Sequence, residues 1–149
     1  MKTQKFRKAV FIVTYAKTSK GVEYLLLKRK LHWIGLEFPK GGIRFLESKK
    51  HAVKRELKEE TGLKIKEIKK FNISGKYKYN RELPDRKGFV GQKYSLYAAE
   101  VKKEKPKLDK LEHSGCKWLT FKEAGEKLKW RNQKKCLKIV DKWLRDSKS

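Results

Sequence analysis

A chain of 149 residues accommodates one domain around one core, and residues 1–149 are expected to form a single domain. At 38% hydrophobic and 11% aromatic it can bury that core despite being 40% charged, which excludes a disordered tail, and no apolar run reaches the roughly 18 residues a membrane span needs. Against 17 acids stand 42 lysines and arginines, a net charge of +25; such a surface attracts nucleic acid, nucleotide or anionic lipid, although lysine-rich solvated faces account for the same excess.

The N-terminus "MKTQKFRKAVFIV" lacks a cleavage-site pattern, so a cytoplasmic protein with no membrane association is expected. "KAVFIVTYA" (8–16) and "VEYLLLKRK" (22–30) are rich in β-branched and aromatic residues and flank "KTSKG", the pattern of an antiparallel strand pair. "LHWIGLEFPKGG" then reads as a loop. From Ser48 to Thr61 neither Gly nor Pro intervenes, Ser48 suits an N-cap and Gly62 a stop, which predicts a helix of about four turns. "KEIKKFNISGKYKY" (66–79) and "GFVGQKYSLYAAEV" (88–101) read as a hairpin around the polar connector "NRELPDRK". "CKWLTF" (116–121) suggests a short strand, Thr120 a cap for a helix near Lys122, and the spacing of Cys136, Val140, Trp143 and Leu144 an amphipathic helix over 132–144. Cys116 and Cys136 are too few for a disulfide framework and are expected to be reduced. The order of elements implies an α/β fold, a mixed sheet packed between helices.

On the first helix Glu56, Glu59 and Glu60 fall within an arc of about 100°, with Lys54 and Lys58 turned away. Three carboxylates on one face repel, so a cation belongs among them. Lysines from elsewhere could supply it, but hard oxygens at this density also suit Mg²⁺ or Mn²⁺.

The wider spacing is more specific. Gly41, five residues, Glu47, seven residues, Arg55-Glu56-Leu57, one residue, Glu59-Glu60, one residue, Gly62-Leu63 matches every position of the Nudix box, a coincidence of roughly one window in 10⁸ by chance. The chain thus resembles the Nudix hydrolase superfamily, which implies an α/β/α sandwich and Mg²⁺-dependent cleavage of a nucleoside diphosphate linked to another group. The resemblance gives Glu56 and Glu60 the main metal-ligand roles and makes Glu59 a further ligand or base. It adds the carbonyl of Lys40 as another possible ligand. Gly41 and Gly42 would let the backbone approach a bound diphosphate, while Arg55 and Glu47, about two turns apart, can pair and hold the carboxylates in register. Where many family members have Pro-Gly before the first glutamate of the box, this chain has Phe45-Leu46.

"EFPKGG" and "EHSGCKWLTFKEA" are similar to the branch that hydrolyses dinucleoside polyphosphates such as diadenosine tetraphosphate. That similarity implies phosphate contact by Lys40 and a ligand or base role for Glu112, six residues before Trp118, as against an ordinary loop acid. RNA 5′ pyrophosphohydrolases share that spacing and a "GQK" like Gly91-Gln92-Lys93, so an RNA 5′ end is the alternative partner to a small nucleotide. Lys93 is a further candidate phosphate contact, and Tyr77, Tyr79 and Trp130 are candidate stacking partners for a base or, equally, core residues. A silent Nudix-fold binding module would have lost catalytic acids, and none is lost here. A monomer is expected.

Overall fold

In the computed structural model, which describes residues 5–81 and 83–147, strand alternation in β1 (Lys5–Thr18) divides the molecule into two layers. Val10 and Ile12 point to one face and pack on Ala52, Val53 and Leu57 of helix α1 (Lys49–Thr61). Phe11, Val13 and Tyr15 point to the other and meet Ala124 of α2 (Phe121–Lys127) and Cys136, Leu137, Val140 and Leu144 of α3 (Arg131–Asp146). The sheet is therefore sandwiched between helices, as the sequence implies.

β1 runs antiparallel to β2 (Gly21–Arg29) and parallel to β6 (Phe89–Val101), and β6 pairs antiparallel with β5 (Ile65–Lys78). Both expected hairpins form. The stretch read as a loop holds two three-residue strands, β3 (Gly35–Glu37) on β2 and β4 (Lys40–Gly42) on β1. Elements this short show no period of their own, and tertiary pairing alone makes them strands. β7 (His113–Leu119) begins three residues before the expected strand and pairs with β2. The seven strands form one mixed sheet.

Local chemistry sets the boundaries. Ser48 caps α1 by accepting from the His51 amide, and Gly62 ends it at φ 66°. Thr120 and Glu123 form a capping box on α2. α3 is docked by two buried bonds: the Tyr24 hydroxyl donates to Asp141 at 2.7 Å, and the Phe38 amide donates to Gln133 at 2.7 Å. Both cysteines are free; burial pushes the Cys136 thiol up to about 11.

Candidate active site

α1, the turn into it and the segment before β7 bring the box acids together, but in unlike settings. The Glu60 side chain is buried, its Oε2 3.4 Å from the Lys40 amide and its Oε1 without a partner among the described residues. Burial, then the charges of Glu56 and Glu112, raise its carboxyl well above the ordinary range. Glu56 is raised by burial too, against the Arg55 guanidinium that donates to it at 2.7 Å. Glu59 is half exposed and meets Arg44 and Arg55, each at 3.4 Å. Glu60, Glu112 and His113 each offer a ligand atom within 4.8 Å of the others. A buried carboxylate oxygen with no donor, beside two further carboxylates, is the donor set hard divalent cations take, so the residues fit a divalent metal ion.

Arg55 forks onto Glu47 through Nε at 2.7 Å and Nη2 at 2.8 Å, and Nη2 also donates to the Gly42 carbonyl at 2.8 Å. One guanidinium thus ties the loop to the helix. The Arg55 bonds hold the Glu47 carboxyl far below the usual carboxylate range, helped by the Arg44 amide and His51. A side chain at Gly41 would collide with the Glu56 carboxylate, and one at Gly42 with the Arg7 guanidinium. Leu46 keeps the loop's turn at φ 62°, a left-handed conformation that disfavours leucine, and both Phe45 and Leu46 project into solvent, about nine-tenths exposed.

Lys40 stands between the carboxylates and a cavity of about 400 Å³ lined by Phe11, Trp33, Tyr77, Tyr79 and Trp130 among others. Its ammonium lies 4.4 Å from the Trp33 ring centre, 3.3 Å from the Tyr77 hydroxyl and 3.7 Å from Glu37. Burial lowers it to about 8 against the pull of Glu37. Trp33 meets Trp130 edge-on at 6.1 Å, and Tyr77 meets Tyr79 edge-on at 6.2 Å. Tyr77, Tyr79 and Trp130 thus share the cavity. Lys93 does not: it lies on the opposite sheet face, exposed, between Gln92 and Tyr94, which face the site side.

Several residues of this site are singled out by no motif of the sequence. Gln92 accepts from Arg7 at 2.9 Å and Arg86 at 2.7 Å and donates to the Tyr77 hydroxyl at 2.9 Å. Of the "GQK" triplet, it is Gln92 that sits opposite Tyr77, a pairing that strand alternation could have singled out. Arg7, Arg29, Lys40 and Arg86 line, with Glu56 and Glu112, a cleft of about 40 Å³ next to the carboxylates. Glu37 is buried and joins both halves. Its Oε1 accepts from Trp33 at 3.0 Å, while its Oε2 meets Arg29 at 3.3 Å and His113 at 3.2 Å. Burial would raise its carboxyl, but Lys40, His113, Arg29 and Trp33 together hold it at about 2. Arg29 also reaches Glu112 at 3.4 Å.

A family model described as NUDIX domain matches residues 5–139. No curated protein matches the chain in sequence. Among solved structures, a putative NUDIX hydrolase from Listeria monocytogenes is 20% identical, covers 97% of each chain and superposes with a TM-score of 0.76. An Ap4A hydrolase from C. elegans, in a binary complex, is 22% identical over 94% of this chain and 98% of its own, with a TM-score of 0.75. The NUDIX domain of Shewanella oneidensis NrtR, complexed with ADP ribose, is 16% identical over 95% and 90%, with a TM-score of 0.76. At these identities the likeness is one of fold.

Proposed function

That the chain belongs to the Nudix family is the premise from which we propose its reaction: Mg²⁺-dependent hydrolysis of a phosphoanhydride bond in a nucleoside polyphosphate, with dinucleoside tetraphosphates cut asymmetrically into a nucleoside triphosphate and a monophosphate. The observation that carries this reading is the aromatic cavity joined to the carboxylates through Lys40. Its volume of about 400 Å³ falls in the usual range of small-ligand sites, and its rings suit a purine base. The fold shared with the C. elegans Ap4A hydrolase supports the same substrate class.

Glu56 and Glu60 would hold Mg²⁺ (or Mn²⁺), with the Lys40 carbonyl and whichever of Glu59 and Glu112 does not act as base as further ligands. Held there, such an ion would lower the pKa of a bound water and offset charge on phosphate oxygens. Glu112, or Glu59 in its place, accepts the water's proton as the new O–P bond forms and the bridging P–O bond breaks. Lys40 offsets charge on the departing phosphate, while Arg7 and Arg86 face the rest of the bridge across the small cleft. Arg55, fixed by Glu47, keeps helix and loop in register.

The +25 charge favours a second reading, removal of diphosphate from RNA 5′ ends by the same carboxylates. Hydrolysis of diadenosine tetraphosphate, triphosphorylated RNA and oxidised dGTP, side by side with products resolved, separates the two. ATP plus AMP from the first substrate is expected. Pyrophosphate from RNA with the dinucleotide untouched would replace the first reading with the second.

A further inference from the structure

Lys93 has neighbours of its own kind on its face of the sheet. The register sets Lys8 of β1 beside Lys93 of β6, and Lys93 beside Lys76 of β5, so the three form one row across three adjacent strands. With strands about 4.8 Å apart, the row is about 10 Å wide. In the adjoining row Phe6, Gly91 and Lys78 are aligned, and the Lys76 ammonium lies 5.1 Å from the Phe6 ring centre. All four lysines are exposed. Among the described residues the lysines that pair with acids are Lys17, Lys40, Lys102 and Lys103, so none of the four in these rows is neutralised.

Like charges directly opposed across strands destabilise a sheet. Lysine does protect exposed sheet edges from association, which accounts for Lys76 and Lys78 on the edge strand β5. It does not account for Lys8 and Lys93, which stand on interior strands. The row also begins beside the active-site loop: the Ile43 amide donates to the Lys8 carbonyl at 2.9 Å, and from there the chain leaves through Arg44 and the exposed Phe45 towards α1. We propose that this face, Lys8, Lys76, Lys78 and Lys93 around Phe6, binds the backbone of single-stranded nucleic acid, the lysines meeting successive phosphates and the ring offering a base a surface to stack on. Charge complementarity selects this occupant, and the row's junction with the loop before α1 supports it, an argument that rests on the proposed reading of that loop as part of a nucleotide site. The row itself rests on strand register and holds whichever anhydride is cleaved.

The test is fluorescence anisotropy with a 5′-hydroxyl RNA of about 12 nucleotides in EDTA, conditions under which neither a cleavable anhydride nor a metal ion takes part. Replacing the row (Lys8→Gln, Lys76→Gln and Lys93→Gln together) should weaken binding about 10²-fold near 0.1 M salt and lower the log–log salt slope by about 2, at 0.7 per lost phosphate contact. Lys135→Gln, Lys138→Gln and Lys142→Gln together remove the same charge from the exposed side of α3 and should leave the slope unchanged. Lys8→Arg, Lys76→Arg and Lys93→Arg together should retain binding, and thermal melting of all three variants establishes that they fold. Equal losses in the two glutamine variants, or none in the row variant, overturn the proposal. Row-dependent binding to phosphatidylserine vesicles without row-dependent RNA binding does so too, and assigns the face to anionic membrane instead.

Discussion

Glu60 shows how burial converts a box letter into chemistry. Its folded carboxyl titrates well above the unfolded one, so the stability that its neutral form contributes is complete below about pH 4.3 and is lost as pH rises through the raised value. Metal-free protein should therefore melt at progressively lower temperature as pH is raised above the ordinary carboxylate range of about 4.3. Glu60→Gln should flatten that decline in a melting series and lower kcat by at least about 10²-fold; a decline of undiminished steepness would assign the loss of stability at higher pH to another group. Lys40 titrates in the opposite sense: with its ammonium at about 8, it carries charge below that pH and loses it above. KM for diadenosine tetraphosphate should rise past pH 8 in the parent protein and be flat over that range in Lys40→Met. Leu46 makes a separate case. Glycine there relieves a left-handed leucine at the cost of a more flexible unfolded chain, a net gain of about 0.5–1 kcal/mol that differential scanning calorimetry should register as roughly 1–4 °C. The box spacing made Glu56, Glu59 and Glu60 legible as one face. It could not distinguish a buried carboxylate from a half-exposed one, because the difference comes from Lys40, Glu112 and the strands packed around them.

Among elements, α1 was the most legible, since its cap, stop and apolar positions are all local. β3, β4 and the first residues of β7 were the least, because nothing within three residues announces a strand that its neighbour creates. That is why Glu37 escaped notice: it is one buried acid where β3, β2 and β7 meet, and its partners Arg29 and His113 lie 8 and 76 positions away. A pair of this kind costs more to break than it contributes when formed, because the partner's charge stays buried. Glu37→Gln should lower unfolding free energy by about 3 kcal/mol or more in urea titration. It should also raise KM more than it lowers kcat, since Trp33 loses its acceptor and Lys40 its counter-charge at the wall between cavity and carboxylates. A change confined to kcat would place Glu37 with the reacting groups.

At the scale of the molecule, charge and topology pull in different directions. The excess of 42 basic over 17 acidic residues makes the folded chain repel itself, so adding salt from about 0.02 to 0.2 M should raise the melting temperature. A lowered temperature would mean that ion pairs such as those of Arg55 outweigh the general repulsion. The sequence displayed that charge openly but concealed its arrangement, which depends on β1 lying parallel to β6. The same pairing governs how the chain is made. Arg7 must find Gln92 across 85 positions, and Tyr24 must find Asp141 across 117, whereas the β1–β2 and β5–β6 hairpins close locally. During synthesis both hairpins are complete once Val101 has emerged, yet α3 ends 45 residues later at Asp146, a delay of roughly 2–9 s at 5–20 residues per second. For those seconds a nascent sheet exposes Phe11, Val13 and Leu26 with no helix to cover them. Neighbouring nascent chains, each carrying the lysines already translated, repel one another through those seconds, which opposes the joining of unfinished sheets.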